Sequence, residues 1–399
     1  MKSVPEIRFN KHREEWESLN AGTLFYPITD KGYPELPVLS ASQEEGMIPR
    51  KDIGINMSYS RKNVGGYKRV LPGDFVVHLR SFQGGFAHSA SEGITSPAYT
   101  VLRLNKERNQ DDNFWKHYMT SMNFIDSLRI VTYGIRDGRN INVSEFLDTN
   151  LTFPKDKLEQ TAIGKFFDDL DEYISSQALE LQKLKNIKKA CLEKMFPKEG
   201  ELVPEIRFDG FEGNWEKKPA KKLFSLYSDK GYPSLPVLSA SQEEGMILRN
   251  DVGFNMSYNK ENIISYKRVR PGQFVIHLRS FQGGFAHSDL EGITSPAYTI
   301  FGLRDVDNHD DHFWGIYFTS KSFIKRLEKV TYGIRDGRSI SVDGFMNLDM
   351  TYPSTKDEQS NIAKFFSRLD VHIKAMSDKL DKLKQIRKGL LEKMFVANN

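Results

Sequence analysis

Residue i matches residue i + 199 at 113 of 200 positions, and the alignment needs no gap. A period that long is too large for a solenoid, so the chain carries two copies of a whole domain. The identities cluster. Between Asp30 and Thr100 there are 55 in 71 positions, but between Asp171 and Ala190 only 8 in 20. Matching blocks include Lys31-Gly-Tyr-Pro with Lys230-Gly-Tyr-Pro, His78 to Ser89 with His277 to Ser288, and Val131 to Arg139 with Val330 to Arg338. Recent duplication accounts for the level of identity but not for its clustering.

Each copy divides in two. Its first part has short β-rich runs broken by Gly and Pro, such as Phe75-Val-Val-His-Leu and Ala98-Tyr-Thr-Val-Leu, with a helical stretch around Asp112 to Leu128. That pattern predicts a mixed α+β globule. A long helix follows: from Asp156 to Phe196 there is no Pro and one Gly, Gly164. Apolar residues recur at Leu170, Ile174, Leu181 and Leu184, then Cys191 and Met195. The second copy repeats them at Leu369, Ile373, Met376, Leu380, Leu383, Leu390 and Met394. The 3-4 alternation is a coiled-coil seam, interrupted by Gln177, Lys188 and Arg387. The expected domains are globule 1–152, helix 153–196, linker 197–203, globule 204–351 and helix 352–396. The linker Pro197-Lys-Glu-Gly-Glu-Leu reaches only about 20 Å, whereas a helix of roughly 35 residues spans about 50 Å. The second helix must then run back along the first. The expected fold is α+β: two similar globules separated by an antiparallel two-helix rod, with pseudo-twofold symmetry.

Composition excludes several classes. No run of about 18 apolar residues is present, so no transmembrane helix is expected, and the N-terminus lacks the apolar core of a signal peptide. The lone cysteine, Cys191, leaves no internal disulfide and no cysteine-based zinc site. A cytoplasmic protein is expected. The 57 basic and 53 acidic side chains nearly cancel, to +4, so the placement of charge must decide about nucleic acid. No P-loop, G-x-S-x-G, H-E-x-x-H or G-x-G-x-x-G occurs. Asn56-Met-Ser-Tyr59 and Asn255-Met-Ser-Tyr258 echo the spacing of adenine methyltransferases but lack its prolines. His78, His88, His277 and His287 have no carboxylate or cysteine at ligand spacing in the sequence, and no metal role is assigned to them.

What remains are loops rich in basic and amide side chains. From Asn56 to Arg80 there are five basic residues, Arg61, Lys62, Lys68, Arg69 and Arg80, against one acidic residue, Asp74. The second copy has Lys260, Lys267, Arg268, Arg270 and Arg279. Ser81, Gln83 and Gly84-Gly85 follow, matched by Ser280, Gln282 and Gly283-Gly284. Glycine allows close backbone approach, while Arg and Gln read guanine and adenine edges in pairs of hydrogen bonds. A second loop offers Arg136 and Arg139, with Arg335 and Arg338 as its copies. A solvated basic surface would explain one such loop. Its duplication favours a DNA reader.

Taken with these loops, the chain resembles the DNA-specificity subunit of type I restriction–modification systems. The resemblance rests on Leu71-Pro-Gly-Asp-Phe-Val-Val and Arg270-Pro-Gly-Gln-Phe-Val-Ile. It rests further on Phe153-Pro…Glu159-Gln and Tyr352-Pro…Glu358-Gln at the helix starts, and on Leu192-Glu-Lys-Met-Phe196 and Leu391-Glu-Lys-Met-Phe395 at the helix ends. It implies a non-catalytic subunit whose two target-recognition domains read the halves of a split double-stranded DNA site. Its helices would set the spacing and dock two methyltransferase subunits. Those partners would use S-adenosylmethionine to methylate adenine N6. Motor-nuclease subunits would add ATP- and Mg-dependent restriction, and this chain would hold no cofactor or metal. Two other readings stay open: a self-contained methylase or nuclease, and a tandem protein-binding scaffold.

Overall fold

The computed structural model describes residues 4–42, 45–53, 61–78, 85–133, 140–241, 244–252, 260–277, 284–332 and 339–396. They form two compact units: Met1–Ala178 with Asp378–Asn399, and Leu179–Ser377. The division falls inside both long helices. Each unit therefore contains a globule, the first half of the helix that follows it, and the last turns of the helix from the other repeat.

In the first unit an antiparallel sheet is built from β1 (Phe25–Ile28), β2 (Phe75–Val77), β3 (Phe86–His88) and β4 (Thr100–Leu104), in the order β1-β4-β2-β3. Helices α1 (Asp112–Tyr118) and α2 (Met122–Ser127) cover one face, each opened by a side-chain cap, Asp111 and Ser121. The helical stretch expected around Asp112 to Leu128 consists of two helices, because the Ser121 hydroxyl accepts from Phe124 N and starts the second. The long helix α3 (Lys157–Lys194) follows. The core joins Phe25, Phe75, Phe114, Trp115, Tyr118 and Phe153 to Leu391, Met394 and Phe395.

The second unit repeats the plan with β5 (Phe224–Tyr227), β6 (Gln273–Ile276), β7 (Phe285–Ser288) and β8 (Thr299–Leu303), ordered β5-β8-β6-β7. Helices α4 (Asp311–Tyr317), α5 (Lys321–Leu327) and α6 (Lys356–Met394) complete it. Met195 and Phe196 occupy in its core the places that Met394 and Phe395 take in the first.

The two long helices pack together. Along α3 the seam positions Leu170, Ile174, Leu181 and Leu184 are buried or half-buried, as are Leu369, Ile373, Leu380 and Leu383 along α6. The three residues that interrupt the pattern are satisfied where they stand. In the first unit the Arg387 guanidinium pairs with Asp171, one hydrogen bond at 2.8 Å, and Lys379 Nζ donates to the buried Gln177 Oε1 at 2.7 Å. In the second, Lys188 pairs with Asp370. Within the first unit the partner number falls along α6 as it rises along α3, so the helices run antiparallel there.

Beside this seam, His117 is 1% exposed and its Nε2 lies 2.9 Å from Asp168 Oδ1, which also accepts from Lys116 Nζ at 2.6 Å. Burial pushes the His117 imidazole below its usual range despite the pull of Asp168. Burial works to raise the Asp168 carboxyl, but the hydrogen bonds from His117 and Lys116 outweigh it and bring it to about 2. Both groups are more acidic folded than unfolded, so their stabilisation is present at neutral pH. It is lost as pH falls, first below about 6.5 through His117 and then below about 4 through Asp168. The second copy has Ile316 and Ser367 at these places. Chemical denaturation of His117→Ile should show a smaller loss of stability between pH 7 and pH 4.5 than the parent chain. An unchanged loss would remove His117 from the account.

Candidate nucleic-acid interface

The two runs that carry the matching basic and amide residues fall in sequence between paired strands. Residues 79–84 join β2 to β3, closed at the base by His78 N donating to Gly85 O at 3.1 Å. Residues 134–139 join the two-residue strands Thr132–Tyr133 and Asn140–Ile141. The second unit builds the same hairpins around 278–283 and 333–338, with His277 N to Gly284 O at 3.0 Å. The runs themselves lie outside the described residues, and with them Arg80, Ser81, Gln83, Gly84, Arg136 and Arg139. So do Arg279, Ser280, Gln282, Gly283, Arg335, Arg338 and both Asn-Met-Ser-Tyr runs.

The described candidates sit on strands and turns. Arg61 and Lys260 open the 3-10 turns Arg61–Gly66 and Lys260–Ser265. Lys68 Nζ donates to Tyr99 O at 2.6 Å, and Lys267 Nζ to Tyr298 O at 2.6 Å. Burial, with Lys31 and Lys230 as second cause, lowers the pKa of these two lysines. Arg69 donates to Glu92 at 2.8 Å and lies 4.4 Å above the Tyr33 ring. Arg268 repeats this with Glu291 at 2.8 Å and Tyr232 at 4.5 Å. The matched Lys-Gly-Tyr-Pro blocks thus supply the ring on which each arginine rests, a cation–π contact.

Two expectations need correction. His88 and His287 do have carboxylate companions: His88 Nε2 lies 3.1 Å from Asp112 Oδ2, and His287 Nε2 lies 2.7 Å from Asp311 Oδ2. Twenty-four residues separate the partners, and β3 against α1 (or β7 against α4) brings them together, so local spacing could not reveal them. Asp74, counted among the loop charges, is 1% exposed. It accepts Arg103 through both carboxylate oxygens at 2.6 and 2.7 Å, across the β2–β4 pair. In the second copy Gln273 stands there and Gly302 replaces Arg103, so the charge pair was exchanged as a unit.

The Glu-Gln pair at each helix start is a structural anchor that sequence reasoning noted only as a signature. Glu159 is 1% exposed and accepts from Arg8 Nε at 2.6 Å, Arg8 Nη2 at 2.7 Å and Trp16 Nε1 at 3.3 Å. Gln160 donates to Pro154 O at 2.8 Å and accepts from Asp111 N, at the cap of α1, at 3.0 Å. Glu358, Arg207 and Trp215 repeat the first arrangement, and Gln359 with Pro353 and Asp310 the second. The long helix is thereby locked to the globule that carries the hairpins.

No known family and no curated protein matches the chain at the level of sequence. Solved structures do. The S subunit of the type I restriction–modification system of M. genitalium superposes with a TM-score of 0.58 at 15% identity, covering 98% of this chain and 99% of that one. The chain has the fold of a type I specificity subunit. A second match, from a structure on complex assembly and conformational transition of the type I R-M system, has a TM-score of 0.55 at 14% identity. It covers 96% of this chain and 98% of the other. Among the described residues no helix is long and apolar enough to cross a membrane. In each repeat Glu-Gln stands at the start of the long helix, Leu-Glu-Lys-Met-Phe at its end, and a Pro-Gly turn ahead of the central strand.

Proposed function

We propose that this chain is the DNA-specificity subunit of a type I restriction–modification complex, itself non-catalytic and cytoplasmic. Target-recognition domains 1–152 and 204–351 would each read half of a split site on double-stranded DNA. Helices 153–196 and 352–396, joined through linker 197–203, would set the separation of the halves. Methyltransferase subunits would dock on the chain and methylate adenine N6 with S-adenosylmethionine. Motor-nuclease subunits would bring ATP and Mg. The observation that carries the proposal is the fold match over nearly the whole of both chains.

Residues proposed to contact DNA are Arg80, Ser81, Gln83, Gly84, Arg136 and Arg139 with their copies at 279–283, Arg335 and Arg338. Arg61, Lys68 and Arg69, with Lys260, Lys267 and Arg268, would support them. Identical hairpins should read identical base edges, so the target should be an interrupted palindrome with one modified adenine on each strand. Asp74 and Gln273 are both buried and do not disturb that equality. Arg270, which replaces Leu71, is held 2.8 Å from Asp229. Ile264, which replaces Gly65, is well exposed and is the difference best placed to change one half-site.

The test maps modified adenines in a host carrying this chain and its methyltransferase partner. A palindrome interrupted by a fixed spacer is expected, with at most one unequal position. Arg80→Ala with Arg279→Ala should then weaken binding to that site about 10-fold or more, beyond any loss on random DNA, since a base-edge arginine is worth about 1–3 kcal/mol. Two unrelated half-sites would place the reading residues outside the matching hairpins. Methylation by the purified chain alone would overturn the proposal.

A further inference from the structure

The His–Asp pair between the central sheet and the following helix occurs in both units, but its surroundings differ at three positions. In the first unit His88 and Asp112 are flanked by Ala90, Asn113 and Lys116, and the lysine is drawn away to Asp168. In the second unit the same places hold Asp289, His312 and Gly315. Two of these changes add a ligand-type side chain, and the third removes a cation. Gly315 also lets α4 pass close to β7: a Cβ there would stand 3.3 Å from His287 Cβ.

The result is a cluster absent from the first unit's sequence. His287 Nε2 lies 2.7 Å from Asp311 Oδ2, its Nδ1 lies 3.6 Å from Asp289 Oδ1, and the His312 ring centroid is 4.8 Å from that of His287. One ligand atom from each of His287, Asp311 and His312 can be chosen so that all lie within 4.8 Å of one another. His287 is 13% exposed and held against the Phe274 ring at 5.3 Å, so its nitrogen is fixed in place, whereas the His312 side chain is 57% exposed, with its Nε2 3.8 Å from Asp289 Oδ1.

We infer that the second unit contains a binding site for one zinc-class divalent cation, held by His287 Nε2, the Asp311 carboxylate and an imidazole nitrogen of His312. Bonds of about 2.0–2.2 Å in a tetrahedral shell put ligand atoms about 3.4 Å apart, a spacing that rotation of His312 and a small opening of the His287–Asp311 contact provide. Two imidazoles select zinc, cobalt, nickel or copper over magnesium and calcium. Asp289 Oδ1 stands 3.6 Å from the far nitrogen of His287, beyond hydrogen-bond reach, where its negative charge favours a cation bound to the ring. Water completes the shell. The ion would tie β7, the strand that leaves residues 278–283, to α4. It would stiffen one reading hairpin and not its copy. The inference does not depend on the proposal that those hairpins read DNA.

The experiment uses the full-length untagged chain and ZnCl2. Isothermal titration and metal analysis after dialysis should give one zinc per chain, and CoCl2 should produce the visible absorption of a tetrahedral site. His312→Asn and Asp289→Ala install the residues of the first unit at exposed positions. Each should lower zinc affinity at least about 10-fold, since loss of even an outer-shell partner costs 10–100-fold. Melting of both variants without metal should match the parent chain, and zinc should raise the melting temperature of the parent alone. No zinc retained by the parent chain, or the parent's affinity kept in His312→Asn, would overturn the inference.

Discussion

Glu159→Ala is expected to lower the unfolding free energy of the first unit by about 3–5 kcal/mol, the range for removing one partner of a buried ion pair. The carboxylate is the sole acceptor among the described residues for two Arg8 nitrogens and the Trp16 indole, and its loss leaves a guanidinium with little solvent around it. Glu358→Ala should weaken the second unit by less, because Arg207 keeps Gly213 O and Glu212 O as acceptors. Hydrogen exchange read unit by unit is the appropriate measurement, because two compact units need not unfold together. A change below about 1 kcal/mol would mean that the pair behaves as a surface salt bridge.

Phe395→Ala should cost the first unit about 3–5 kcal/mol, as burial of a large aromatic side chain is lost and a cavity is left. The ring is 2% exposed, stacks on Phe167 with centroids 5.7 Å apart, and touches Phe114 and Tyr118 at 5.6 Å each. Phe196→Ala is the matching change for the second unit, where the ring meets Trp215, Phe313, Tyr317 and Phe366. The diagnostic point is location. Loss of protection should follow the unit in which the ring is buried, so that Phe395→Ala loosens the globule at the start of the chain. Loosening confined to the second unit would refute the packing.

The helices were legible because a seam is a local pattern: Leu170 to Met195 and Leu369 to Met394 can be read at a spacing of three and four. Even the misfits Gln177, Lys188 and Arg387 were visible as misfits. Their remedies were not, since Lys379, Asp370 and Asp171 are found only once the helices are paired. Strands at Phe75 and Thr100 were legible from β-branched and aromatic runs between turn residues. The anchors were harder. Arg8 meets Glu159 across 151 residues, and nothing near either one marks the other. His287 and Asp311 are separated by a whole strand and loop. As for the DNA-reading candidates, the repeat drew attention to their hairpins, because two copies retained the same residues there while the helix surfaces diverged.

The sharing of helix ends has a consequence for biosynthesis. The first globule leaves the ribosome early, but Leu391, Met394 and Phe395, which close its core, are made only after the whole second globule. It must therefore wait, incomplete and with apolar surface uncovered, while some two hundred further residues are translated. Meanwhile the second globule receives Met195 and Phe196 from chain that precedes it and can close as soon as its own helix begins. The nascent Leu192-Glu-Lys-Met-Phe196 run is identical to the Leu391-Glu-Lys-Met-Phe395 run that the first globule awaits. Order of synthesis therefore leaves the first globule open for longer than the second.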